Sequence, residues 1–177
     1  MDPRRIRKTG NAGNAQANYD SSKRLDGFQN DSYDNQLARI STLLKTAQTI
    51  PDSTWTGVNF DFDEFDDYAI HTGTNDYDFV FEDSNAGVWS VTMYSLWESD
   101  TTGSRNMRVM INETEIVPQS YMRLLASSST AAGSCIIQSN FLITVQDGDT
   151  LSVEVAQYSG GDLDLEGASF QAFRIGV

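Results

Sequence analysis

Gly87-Val88-Trp89-Ser90-Val91-Thr92-Met93-Tyr94-Ser95-Leu96-Trp97 decides how the rest of the chain is read. Its period is two. In an extended chain Val88, Ser90, Thr92, Tyr94 and Leu96 point one way, and Trp89, Val91, Met93, Ser95 and Trp97 point the other. Both sets carry bulk, so the run predicts a central strand covered on both faces. Similar runs flank it. Upstream are Thr54–Phe60, the alternation of Phe60, Phe62 and an offset Phe65 with acids, and Asp78–Phe81. Downstream are Arg105–Ile111, Glu115–Val117, Ile136–Val145, Leu151–Gln157 and Ser169–Val177. Asp147-Gly148 between two of them is a tight-turn signal. At least eight strands with no helix between them predict a mainly β chain, a jelly-roll sandwich of two antiparallel sheets over residues 54–177.

Before this head the pattern changes. Residues 1–30 are polar and predict an extended arm that cannot bury enough surface to offset its own ordering entropy. Either a partner chain or the arm's own body must hold it. Residues 31–50 predict a short α-helix, capped by Asp31 or Ser32 and stopped by Pro51. Tyr33, Leu37, Ile40, Leu44 and Ala47 recur at heptad steps. With Leu37 and Leu44 at a and Ile40 at d, the seam fits a trimeric or tetrameric coiled coil. It covers about two heptads, so an amphipathic helix lying on a neighbour fits equally.

Charge is unevenly spread. Residues 1–50 hold eight basic and five acidic side chains, and residues 51–177 hold four basic and twenty acidic, for a net charge of −13. The acidic body repels nucleic acid. An Asp-rich surface with no lysine after Lys45 suits a saline medium or an ordinary acidic protein. No apolar signal region follows the first basic residues, and no run approaches the ~20 apolar residues of a membrane helix. The chain is therefore expected to be made inside a cell. Cys135 is the single cysteine and is expected to be a small buried hydrophobe.

Four stretches together resemble the tumour-necrosis-factor-like jelly rolls, in particular the globular heads of the first complement component. They are Asp76–Phe81 before Gly87–Val91, Arg108–Ile116, Asp147–Val155 and Ser169–Ile175. The resemblance implies a homotrimer, with Phe170 and Phe173 of the terminal strand at the trimer interface. The seam of Leu37, Ile40 and Leu44 points to the same state. Gln171-Ala172 stands where that branch has a small glycine. There is no Gly-X-Y stalk, which argues against a secreted animal protein and toward a virion protein of a phage or archaeal virus.

Catalytic chemistry finds little support. His71 is the only histidine, so no two-histidine zinc site exists, and no nucleophile motif accompanies it. Asp61, Asp63, Glu64, Asp66 and Asp67 offer hard oxygens suited to calcium, or a strand edge that resists edge-to-edge pairing. Asp162 and Asp164 invite the same two readings. No other cofactor is implied. Arg4, Arg5, Arg7 and Lys8 fit an acidic protein surface and so an anchoring role on capsid or other virion proteins. The sequence thus predicts a non-enzymatic, trimeric decoration, turret or spike on a virion surface. Two alternatives stand beside it. One is a receptor-binding fibre tip that touches the host through residues 98–106 and 118–134. The other is a carbohydrate-binding module in which Trp55, Trp89 and Trp97 stack on sugars.

Overall fold

A computed structural model describes residues 38–71, 77–125 and 135–176. Two six-stranded antiparallel sheets pack face to face. Among the described residues twelve strands follow in chain order: β1 (Arg39–Leu44), β2 (Gln48–Ile50), β3 (Thr56–Gly57), β4 (Phe62–Asp66), β5 (Asp78–Val80), β6 (Gly87–Trp97), β7 (Ser104–Ile111), β8 (Glu115–Ile116), β9 (Met122–Leu125), β10 (Cys135–Val145), β11 (Thr150–Gln157) and β12 (Leu163–Gly176). Sheet one runs β10-β6-β12-β1-β4, with β2 also on β12. Sheet two runs β3-β11-β7-β8, with β5 on β11 and β9 on β7. The expected jelly-roll sandwich is present.

The core forms from the inward set of each alternation. Trp89, Val91, Met93 and Trp97 of β6 are fully or almost fully buried, beside Phe170 and Ala172 of β12. Val109 and Met107 of β7 and Leu151, Val153 and Val155 of β11 close the layer from the other sheet. Phe79 stacks on Phe170 at 4.1 Å between ring centres and lies 5.6 Å from Phe60. Both core tryptophans satisfy their indole N–H: Trp89 donates to the Asn85 carbonyl at 3.0 Å and Trp97 to the Ser95 hydroxyl at 3.1 Å. Burying these rings therefore leaves no orphaned donor.

One expectation fails. Residues 39–44 and 48–50 are strands, not helix. Ile40 and Leu44 are buried inside the sandwich, so neither lines a coiled-coil seam. Leu37 and the arm, including Arg4, Arg5, Arg7 and Lys8, lie outside the described residues. The physical reason is parity. Ile40, Thr42 and Leu44 share a face at period two as readily as Ile40 and Leu44 share one at heptad steps. Over six residues the two periods are indistinguishable, and pairing decides. Ile40 sits opposite Ala172, Thr42 opposite Phe170 and Leu44 opposite Ala168, so β1 extends sheet one along its longest strand. The head thus includes residue 38 onward, where the sequence placed its start at residue 54.

Candidate functional site

Sheet one has a face turned away from the core, and the register shows what it carries. On β6 the outward positions are Val88, Ser90, Thr92, Tyr94 and Leu96. On β10 they are Ile136, Gln138, Asn140, Leu142 and Thr144. On β12 they are Ser169, Gln171, Phe173 and Ile175. None is charged, although Asp, Glu, Lys and Arg make up 21% of the chain. Rows of neighbours cross the three strands: Leu142–Ser90–Phe173, Asn140–Thr92–Gln171 and Gln138–Tyr94–Ser169. Ile136, Leu142, Phe173 and Ile175 are each more than half exposed, at 60, 59, 53 and 52%. Thr92 donates its hydroxyl to the Asn140 side chain at 2.7 Å, so polar groups at the centre pair with one another.

The face continues onto β1 and β4. Arg39 there lies over the Phe65 ring at 4.7 Å and bonds Asp67 at 3.0 Å. A notch of about 250 Å³ opens between Phe65 and Phe173, with Thr92 and Gln171 on its walls. Among the expected interface residues, then, Phe173 lies on this face, whereas Phe170 points into the core beneath it. The sequence missed Tyr94, Ile136, Leu142 and Ile175. Their signal was the bulk on both faces of residues 87–97: the covered second face that it predicted is left open by the chain itself.

The acidic run on β4 has a structural explanation. Asp61 accepts from the backbone N–H groups of Lys45 and Thr46 at 2.7 and 2.9 Å. Glu64 accepts from the Ser41 hydroxyl at 2.9 Å. Asp66 accepts from the N–H groups of Ile70 and His71 at 2.9 and 2.8 Å. Asp63 meets His71 Nδ1 at 2.8 Å. Each carboxylate therefore fastens a turn or a neighbouring strand. Hydrogen bonds from Thr46 and Lys45 hold the Asp61 carboxyl below its ordinary value. His71, packed against Phe60 and Phe79, is held in place by its hydrogen bond to Asp63 on this strand. Asp164 likewise accepts from Thr49 at 2.7 Å, between the buried Leu163 and Leu165.

A second feature lies on sheet two. The 98–106 and 118–134 segments were expected as host-touching loops of the fibre-tip alternative, and their described parts line one cleft of about 400 Å³. Gly103 and Asn106 come from the first, Tyr121, Arg123 and Leu125 from the second, and Tyr158 from the end of β11. The walls are braced. Arg105, fully buried, donates to the Thr102 carbonyl at 2.9 Å and lies 3.5 Å from Asp100. Tyr158 N–H donates to the Ser104 carbonyl at 3.0 Å. Tyr121 is backed by Trp55, 6.2 Å away between ring centres, and Trp55 is in turn capped by Arg108 at 4.0 Å. Trp89 and Trp97 are core residues and cannot stack on a sugar; Trp55 is half-buried behind the cleft.

No family model matches the chain, and no curated protein matches it. Solved structures do. The globular domain of zebrafish complement 1qA protein superposes with a TM-score of 0.56 at 17% identity, covering 78% of this chain and 97% of that one. Murine APRIL gives 0.55 at 14%, covering 77% and 99%. PRD1 vertex protein P5 gives 0.54 at 16%, covering 79% and 98%. The fold is that of the tumour-necrosis-factor-like and complement-head jelly rolls, as the resemblance implied. At these identities the likeness is one of fold.

Proposed function

We propose that the chain is a non-enzymatic structural protein of a virion surface. Three jelly-roll heads meet along the open face of sheet one, and the N-terminal segment ties the trimer to the capsid. The observation that carries this reading is the uncharged face of β10, β6 and β12. Residues 38–177 hold twenty acidic and six basic side chains, so copies of the head repel one another over most of their surface. The outward side of those three strands is where two heads can approach without that repulsion. Depletion of charge at the centre is what distinguishes interface cores from the remaining surface. An uncharged face also has no complement to offer a charged partner, which favours a second copy of the chain as its occupant.

The occurrence of this fold in a viral vertex protein, PRD1 P5, supports the particle-surface part of the reading. Arg4, Arg5, Arg7 and Lys8 against the single acid Asp2 make the first eight residues locally basic. That tip complements an acidic capsid surface and would set the anchoring register. The full chain should co-sediment with particles of its source, and a chain beginning at residue 38 should remain trimeric but stay in the supernatant. Incorporation of the shortened chain would remove the anchoring role from the arm. A full chain found only apart from particles would remove the virion role altogether.

A further inference from the structure

The cleft on sheet two carries a chemistry that the trimer does not need. Four cations follow residue 51, and three are committed within the chain. Arg105 is buried on the Thr102 carbonyl. Arg108 bonds Glu154 at 2.7 Å. Arg174 donates to the Ser84 carbonyl at 2.8 Å. Arg123 is the fourth. It stands exposed on β9 at the cleft and has no partner among the described residues. Opposite in kind is Asn106, which is 2% exposed, lines the same cleft and has a buried Oδ1 with no hydrogen-bond partner among the described residues. An unsatisfied buried amide is costly, so a ligand that satisfies it gains directly. Rotation about its terminal torsion can turn either end of the amide to the cleft. Tyr121 and Tyr158, each about two-fifths exposed at 45 and 42%, supply ring faces and phenol hydroxyls.

We propose that this cleft binds an acidic saccharide, a pyranose ring bearing a carboxylate. Arg123 forks onto the carboxylate with two parallel N–H donors. Asn106 pairs with a ring hydroxyl. The tyrosine rings take the C–H face of the sugar, as aromatic side chains with a polar tip do at half-wet sites. A cleft of about 400 Å³ lies within the range of small-ligand sites. A simple anion would use Arg123 and leave the amide and both rings without a role. A neutral sugar would leave the guanidinium without one. The cleft belongs to a single chain, so its binding does not depend on how heads associate.

The test uses the full chain and small probes in titrations followed by saturation-transfer NMR. Methyl glucuronide, methyl galacturonide and N-acetylneuraminate are compared with methyl glucoside, and glutarate serves as a carboxylate without a ring. At least one acidic sugar should bind at least about tenfold more tightly than both the glucoside and glutarate, the worth of one charge-assisted pair. Arg123→Gln should abolish that preference while leaving the melting temperature unchanged, because the side chain is exposed, and Arg123→Lys should restore part of it. Tyr158→Ala should weaken acidic and neutral sugars alike. The proposal is overturned if no acidic sugar outcompetes the glucoside, if glutarate binds as well as the best sugar, or if Arg123→Gln binds as wild type does.

Discussion

A single methyl group at Gly103 separates two kinds of cost. Gly103 has φ +71°, and a Cβ there would overlap the Tyr158 backbone carbonyl at the cleft wall. Gly148 has a similar φ of +82° but open space around it. Gly148→Ala should therefore cost about 1–2 kcal/mol from left-handed strain alone. Gly103→Ala should cost about 1–3 kcal/mol more from overpacking. Urea unfolding of the two variants measures the difference, and equal losses would show that the wall yields. Asp61 gives a pH test at the same scale. Its carboxyl is held below the ordinary aspartate value of 3.8 in the folded chain by Thr46 and Lys45. The stabilisation is then full above that value and is lost as pH falls through the lower folded one. Asp61→Asn should melt earlier than wild type at neutral pH, and the two curves should converge in acid. A gap that widened in acid would reverse the sign.

At the scale of elements, β1 holds the sharpest prediction. It lies between β12 and β4 and buries Ile40 completely. A chain beginning at residue 38 should fold, whereas one beginning at residue 51 lacks β1 and β2 and should not. Ile40→Ala should cost about 2–5 kcal/mol of head stability. A coiled-coil residue would instead leave the head's melting intact while loosening the assembly. The sequence made other elements legible where alternation ran long. Residues 87–97 are strand to the residue, and the Asp147-Gly148 turn joins β10 to β11 as expected. β1 escaped because six residues cannot separate a period of two from heptad steps. The sequence does not join the first half of β12 to the terminal strand, because the acids at 162 and 164 alternating with leucines read as calcium ligands or as a separate strand edge, while Leu163 and Leu165 in fact pair with β2 and β6. The fold resemblance names Phe173 and Phe170 together, and the sequence cannot separate the exposed ring from the buried one. Odd and even positions exchange faces across a strand, and only register fixes which is inside. The cleft itself is not legible in the sequence: residues 98–106 and 118–134 stand there only as loops that would touch a host, and Tyr158 reaches the site from just beyond β11.

For the whole molecule the central claim is that identical heads associate through the open face of sheet one. Long-range repulsion between heads is screened by salt, whereas the uncharged contact is not. Association should thus strengthen as ionic strength rises, in contrast to an interface built on ion pairs. Phe173→Glu places a carboxylate in the middle of the face at a half-exposed position. It should leave the stability of the single chain within about 0.5 kcal/mol, as surface substitutions do. Sedimentation equilibrium of wild type and Phe173→Glu at near-physiological salt tests the claim most directly. Wild type should sediment as a single species of three times the 19.6 kDa chain mass, and the folded variant as one chain. A wild-type protein that stays at one chain mass, or a variant that keeps the trimer, would contradict it.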